Sequence, residues 1–162
     1  MGTVNFKKIM MATDGSACSR MAIEKGIEFA SLSGGTVYAV YVVPTVHLFS
    51  MDRNYSYSVD MNPYWDSMSE NMYKSLKIDG EHAVNEIKEM GERIRVNVET
   101  ILLEGNPSEE LIRYAKEEKM DIVIMGTLGK TGLDKFLLGS VAGNLVRHSK
   151  VPVMVVRDKC KS

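Results

Sequence analysis

Between positions 126 and 142 the chain reads Gly126-Thr127-Leu128-Gly129-Lys130-Thr131-Gly132 and then Leu138-Gly139-Ser140-Val141-Ala142. Residues of these types can hold an anion. Glycines let backbone N–H groups approach an oxyanion with no Cβ in the way, and a helix starting at Ser140 adds the unpaired N–H groups of its first turn. Ser140 can cap that helix or donate its hydroxyl to a phosphate oxygen, and Lys130 and Lys135 bring positive charge nearby. The same composition also describes a tight turn followed by an ordinary serine cap, and composition alone leaves both readings open. A second group, Ala12-Thr13-Asp14-Gly15-Ser16, sets a lone carboxylate at the end of an apolar run. It can meet a ligand or support the start of the next helix, where an acid is favourable by about 0.3–1 kcal/mol.

Three other patterns carry no chemistry. Gly129-Lys130-Thr131 resembles the end of a Walker A loop, but Ile124 stands where that loop needs glycine, and the next helix does not start at once. Lys130-Thr131-Gly132 matches the lysine box of serine β-lactamases without its companion motifs. Ser33-Gly34-Gly35 precedes a strand where a pyrophosphate loop would follow one.

The elements that must position these residues alternate along the chain. Strand-length apolar runs are expected at 6–13, 36–43, 94–103, 121–125 and 151–156, with helices at 16–33, 65–90, 106–119 and 140–148. The first helix places Cys18, Ala22, Gly26, Phe29 and Ala30 inward, and Gly34-Gly35 ends it. The long second helix shows one face of Met68, Met72, Leu76, Ala83, Ile87 and Met90, with Gly80 as an expected kink or break. The third strand alternates Ile94, Val96 and Val98 against Arg95, Asn97 and Glu99. Asn106-Pro107-Ser108-Glu109-Glu110 is a helix start. Strands alternating with helices imply parallel pairing, right-handed crossovers and an open sheet covered on both faces. Ligands of such sheets bind beyond the carboxyl ends of the strands, where the strand order reverses.

A chain of 162 residues is read as one domain with an irregular insertion at about 44–65. Its 20 basic and 21 acidic residues leave no cationic surplus for nucleic acid, and no apolar run nears the roughly 20 residues needed to cross a bilayer. Cys18 and Cys160, in a chain with no export signal, read as reduced thiols of a cytoplasmic protein. The methionines read as core filling.

Glycine, two residues, glycine, nine residues, glycine and serine is met in full by Gly126, Gly129, Gly139 and Ser140. This spacing resembles the ATP-binding signature of the universal stress protein family. The opening run 9–16 is similar to that family's first strand and aspartate turn, and the run 151–156 to its last strand. The resemblance implies an adenine nucleotide α-hydrolase-like fold, a five-stranded parallel sheet in the order 3-2-1-4-5. It implies ATP across the ends of strands one and four, with Asp14 meeting the ribose or the water of a phosphate-bound Mg²⁺ or Mn²⁺. Ala12 and Thr13 would line the adenine side, and Val42 would read the base edge through its backbone. Met125, Gly126, Thr127, Gly129, Lys130 and Gly132 would surround the ribose and phosphates, with Gly139, Ser140 and Val141 at the terminal phosphates. It also implies a homodimer through strand 151–156, whose apolar edge otherwise invites aggregation.

His47, His82 and His148 have no catalytic or metal-ligand spacing. The expected role is therefore a nucleotide-dependent switch or sensor in stress response, with slow or partner-dependent hydrolysis. A dedicated ATP-hydrolysing enzyme is the alternative, and a flavodoxin-like module a more distant one. Phe49, Met51, Tyr55, Tyr57 and Tyr64 in the insertion are side chains of the kind that contact a protein partner.

Overall fold

The computed structural model describes residues 5–45, 63–127 and 138–157, and of residues 63–69 the backbone alone. Five strands, β1 (Lys8–Ala12), β2 (Thr36–Pro44), β3 (Val98–Gly105), β4 (Ile122–Gly126) and β5 (Val153–Val156), form one parallel sheet in the order β3-β2-β1-β4-β5. The order expected from the resemblance is the order observed. Between the strands run α1 (Arg20–Ser33, preceded by a 3₁₀ turn at Ala17–Ser19), α2 (Pro63–Arg93), α3 (Pro107–Glu117) and α4 (Ser140–His148).

Strand alternation divides the core into two layers. Ile9, Met11, Ala39, Tyr41 and Ile124 meet Ile23 and Ile27 of α1 and Ala83, Val84 and Ile87 of α2. Met10, Val40, Val42, Val123 and Met125 meet Leu111 and Ala115 of α3 and Ala142 and Leu145 of α4. Ile9 and Met10 of the central strand are fully buried, each contributing about 1.5–3 kcal/mol by leaving water. The strand order reverses between β1 and β4, so the crevice lies at their carboxyl ends.

Local signals set the element ends. Asn106 caps α3, its side-chain oxygen accepting from the N–H groups of Ser108 and Glu109. Gly34 ends α1 in the left-handed region, φ 63°.

Three expectations need correction. Residues 94–97 are not strand: the amides of Ile94 and Val96 return to the carbonyl of Gly91, and Arg95 has φ 61°. The chain reverses there after α2, leaving Ile94 half exposed, so β3 begins at Val98. Met72 also points outward. Gly80 does not break α2, which is continuous, and it gives close approach: a Cβ there would lie 2.5 Å from Cδ1 of Tyr41.

Among the described residues no helix is long and apolar enough to cross a membrane.

Candidate functional site

A cleft of about 300 Å³ opens at the carboxyl ends of β1, β2 and β4. Ala12, Thr13, Asp14, Val42, Met125, Gly126, Thr127, Gly139, Ser140 and Val141, all named above from the sequence, line it together. Gly129, Lys130 and Gly132 lie outside the described residues.

The turn after β1 is built by its own side chains. Thr13 donates its amide to the carbonyl of Val40, and its Oγ1 accepts the amide of Gly15 at 3.1 Å. Oδ1 of Asp14 accepts the amide of Ser16 at 2.9 Å, an Asx turn that Gly15 completes at φ 74°. Oγ of Ser19 donates to the carbonyl of Ser16 and lies 3.2 Å from Oγ1 of Thr13. Asp14 is thus not the cap of α1, whose N-cap is Ser19. It braces the turn that faces the cleft.

The start of α4 departs from one sequence reading. Gly139 is the N-cap, Ser140 is the first helical residue, and among the described residues no side chain caps the helix. Gly139 donates to the carbonyl of Thr127 at 2.8 Å, and Gly143 donates to that of Gly139. No described hydrogen bond takes up the N–H groups between them, those of Ser140, Val141 and Ala142, and all three residues line the cleft. This is the positive end of a helix, set to face an anion.

Backbone polarity continues on β2. The amide of Thr36 and the carbonyl of Val40 both face β1, bonding to Lys7 and Thr13. By strand alternation the N–H and C=O of Val42 face the same way, beyond the end of β1, where no described bond meets them. The Val42 peptide edge therefore offers one donor and one acceptor to the cleft.

Sequence reasoning missed Ser19, Tyr41, Pro44, Leu76, Pro107, Leu111 and Ala142, which also line the cleft. Most are apolar residues that carry no sign of a site until distant elements meet. His82 and His148 are exposed and do not line it, and His47 lies outside the described residues. No group of three or more metal-ligating side chains occurs among the described residues. Cys18 is disulfide-bonded, which overturns the expectation of two reduced thiols. The one other cysteine of the sequence is Cys160, outside the described residues.

A doubly wound α/β sheet whose glycine-flanked crevice lies at the strand reversal defines the class. Residues 5–157 match the family model described as the universal stress protein family. The chain belongs to that family. It is 37% identical over 156 residues to universal stress protein MJ0531 of Methanocaldococcus jannaschii, covering 96% of this chain and 85% of that protein. It is 30% identical over 160 residues to universal stress protein MJ0577 of the same organism, covering 97% of this chain and 98% of the relative. The solved structure of MJ0577 superposes with a TM-score of 0.77 at 28% identity, covering 96% of this chain and 99% of that one. A family member from Arabidopsis thaliana with AMP bound shares the fold at a TM-score of 0.65 and 22% identity, covering 95% and 93% of the two chains.

Proposed function

We propose that this protein binds ATP, with Mg²⁺ or Mn²⁺ on its phosphates, and works as a nucleotide-dependent switch or sensor during stress. One observation carries the reading. Three α4 amides with no described partner, the Asp14 turn and the Val42 peptide edge converge on a single cleft. The amides of Ser140 and Val141, with the Gly139 backbone, suit the terminal phosphates. Gly126 and Thr127, together with Gly129, Lys130 and Gly132 of the glycine-rich segment, surround the ribose and inner phosphates, with Met125 beneath. Ala12 and Thr13 line the adenine side. The adjacent donor and acceptor of Val42 match the acceptor and donor on the edge of adenine. Asp14 is a hard oxygen ligand suited to a phosphate-bound cation through water. The AMP carried by the Arabidopsis relative supports adenine nucleotides as the ligand class.

Binding is better supported than turnover. Phosphoryl transfer to water needs a positioned nucleophile. Among the described lining residues Asp14 is the only carboxylate, and none is a histidine. Slow or partner-dependent hydrolysis fits this lining. Homodimerisation through residues 151–156 is part of the proposal, supported by β5, an apolar edge strand with half-buried residues. An unidentified protein partner is also part of the proposal; most of the segment 44–65 lies outside the described residues.

Denaturing the purified protein and identifying the small molecule released tests the ligand, with calorimetry against ATP and Mg²⁺ as the second measurement. Stoichiometric ATP or ADP is expected, with binding weakened by Asp14→Asn while the turn persists, because asparagine keeps the acceptor for Ser16. A flavin, or no heat with any adenine nucleotide, overturns the reading. Sustained multiple turnovers by the protein alone overturn the switch in favour of a dedicated ATP-hydrolysing enzyme.

A further inference from the structure

The lining of the cleft is of two chemical kinds. Thr13, Asp14, Ser19, Thr127 and Ser140 bring polar side chains to it. Tyr41, Val42, Pro44, Leu76, Pro107 and Leu111 line it too, and Tyr41 alone among these carries a polar side-chain atom. Leu76 comes from α2, which is not one of the elements flanking the strand reversal, and its position there has a specific cause. Tyr73, Leu76, Gly80 and Ala83 follow one another at helical spacing along one face of α2. Each has a contact or a place around the cleft. The hydroxyl of Tyr73 donates to the carboxylate of Glu104 at the end of β3. Gly80 lies on the ring of Tyr41: a Cβ would stand 2.5 Å from Cδ1, 2.9 Å from Cε1 and 3.1 Å from Cγ. Ala83 lies against Gly15 of the Asp14 turn, where an added Cβ would meet its Cβ at 3.4 Å.

A glycine inside a helix is less favourable than alanine, because its backbone has more freedom to lose. Here the missing side chain lets the helix backbone settle on Tyr41, itself 4% exposed. Leu76, one turn before Gly80, lines the same cleft as Pro107 and Leu111 of α3.

We propose that Leu76, seated by the contact between Gly80 and Tyr41, fixes the size of the base-binding end of the cleft and so selects nucleotides with an unenlarged purine ring. This rests on the reading of the cleft as an adenine nucleotide site. Leu76 is the specificity-determining residue, and Gly80 is a positioning residue that acts through it. Apart from Tyr41, the apolar lining residues carry no side-chain hydrogen-bonding group. Beside the Val42 peptide edge, discrimination among enlarged purines therefore falls to shape.

The test is calorimetry with Mg²⁺ and three ligands, ATP, N6-benzyl-ATP and 2-methylthio-ATP, on the full-length protein and its variants. The unmodified protein is expected to prefer ATP. Leu76→Ala is expected to shift the affinity ratio toward at least one enlarged analogue by about tenfold, the order set by removing an apolar contact of this size. Leu76→Val is the milder replacement that keeps the question open to measurement if the alanine variant folds poorly, and its ratio is expected to shift the same way by less. Gly80→Ala is expected to shift the ratio in the same direction by lifting α2 from Tyr41, and Gly80→Ala combined with Tyr41→Leu to restore it. Unmodified protein that binds ATP, with a ratio that none of these changes moves, overturns the inference and leaves the nucleotide reading standing. Unmodified protein that binds none of the three ligands overturns that reading, and the inference falls with it.

Discussion

The amide of Gly139 donates to the carbonyl of Thr127 at 2.8 Å, so the chain that leaves β4 re-enters the fold beside the point where it left. This one bond places the uncapped start of α4 at the mouth of the crevice. Gly139 has φ −57°, an angle any L residue adopts. Gly139→Asp is therefore expected to fold. It should cap α4 and raise its stability by a few tenths of a kcal/mol. The same carboxylate takes the place of an anion and repels one, so ATP affinity should fall by tenfold or more, on the order of 1.4 kcal/mol. Thermal denaturation and calorimetry on one preparation check the opposed changes, and unaltered affinity would remove the α4 amides from the site.

Gly34 and Gly35 adjoin in sequence and differ in what they require. Gly34 has φ 63°, and a Cβ there would meet nothing nearer than Nζ of Lys7 at 4.0 Å. Alanine there carries the cost of a left-handed residue, about 1 kcal/mol. Gly35 has an ordinary φ, but a Cβ would sit 2.3 Å from the backbone carbonyl of Phe6 and 2.9 Å from Cδ1 of Ile9. Backbone cannot swing aside as a side chain can, so Gly35→Ala is expected to cost more than Gly34→Ala, about 2–3 kcal/mol. Urea denaturation of both variants gives the order, and the reverse order contradicts the close approach.

Tyr73 donates to Glu104 and so ties α2 to the end of β3. That hydrogen bond raises the pKa of the phenol above its ordinary 10.0, with burial and the carboxylate charge adding to it. A group whose folded pKa is raised contributes stability below its unfolded pKa and loses it as pH rises through the folded one. The melting temperature of Tyr73→Phe should thus lie below that of the unmodified protein at neutral pH, and the gap should close above about pH 10. A constant gap across that range would mean the loss is one of packing.

Cys18 is disulfide-bonded. Alkylation without reductant should therefore leave it unlabelled, and alkylation after dithiothreitol should label it. A disulfide restricts the unfolded state, typically by about 2–4 kcal/mol. Reduction should accordingly lower the midpoint of urea denaturation. Full labelling of protein purified without reductant would show that the bridge does not form.

The homodimer has a direct test in the edge strand. Val155 lies in β5, which pairs with β4 on one side only. A lysine at this half-buried position should disfavour strand pairing between copies. Light scattering is expected to give a dimer for the unmodified protein at micromolar concentration and a monomer for Val155→Lys. A monomer in both cases removes the dimer from the proposal.

The sequence by itself determined the architecture and half of the site. Strand and helix periods are local properties, and the handedness of the crossovers leaves few ways to assemble five strands and four helices. The alternation of elements thus reached the parallel sheet and the crevice before any contact was known. The glycines and Asp14 were legible for a related reason, since a backbone free of Cβ or a lone acid after a strand is visible in residue type. Tertiary structure decided the rest. Leu76 and Leu111 look like any core leucine until α2 and α3 bring them to one cleft, and Gly80 looks like a helix break until Tyr41 lies against it. Ile94 fits a strand pattern, yet Gly91 draws the following amides back into a turn. Apolar burial has no direction in sequence: which surface a side chain meets is set by elements far along the chain, and only their packing makes a cleft wall of one leucine and core of another.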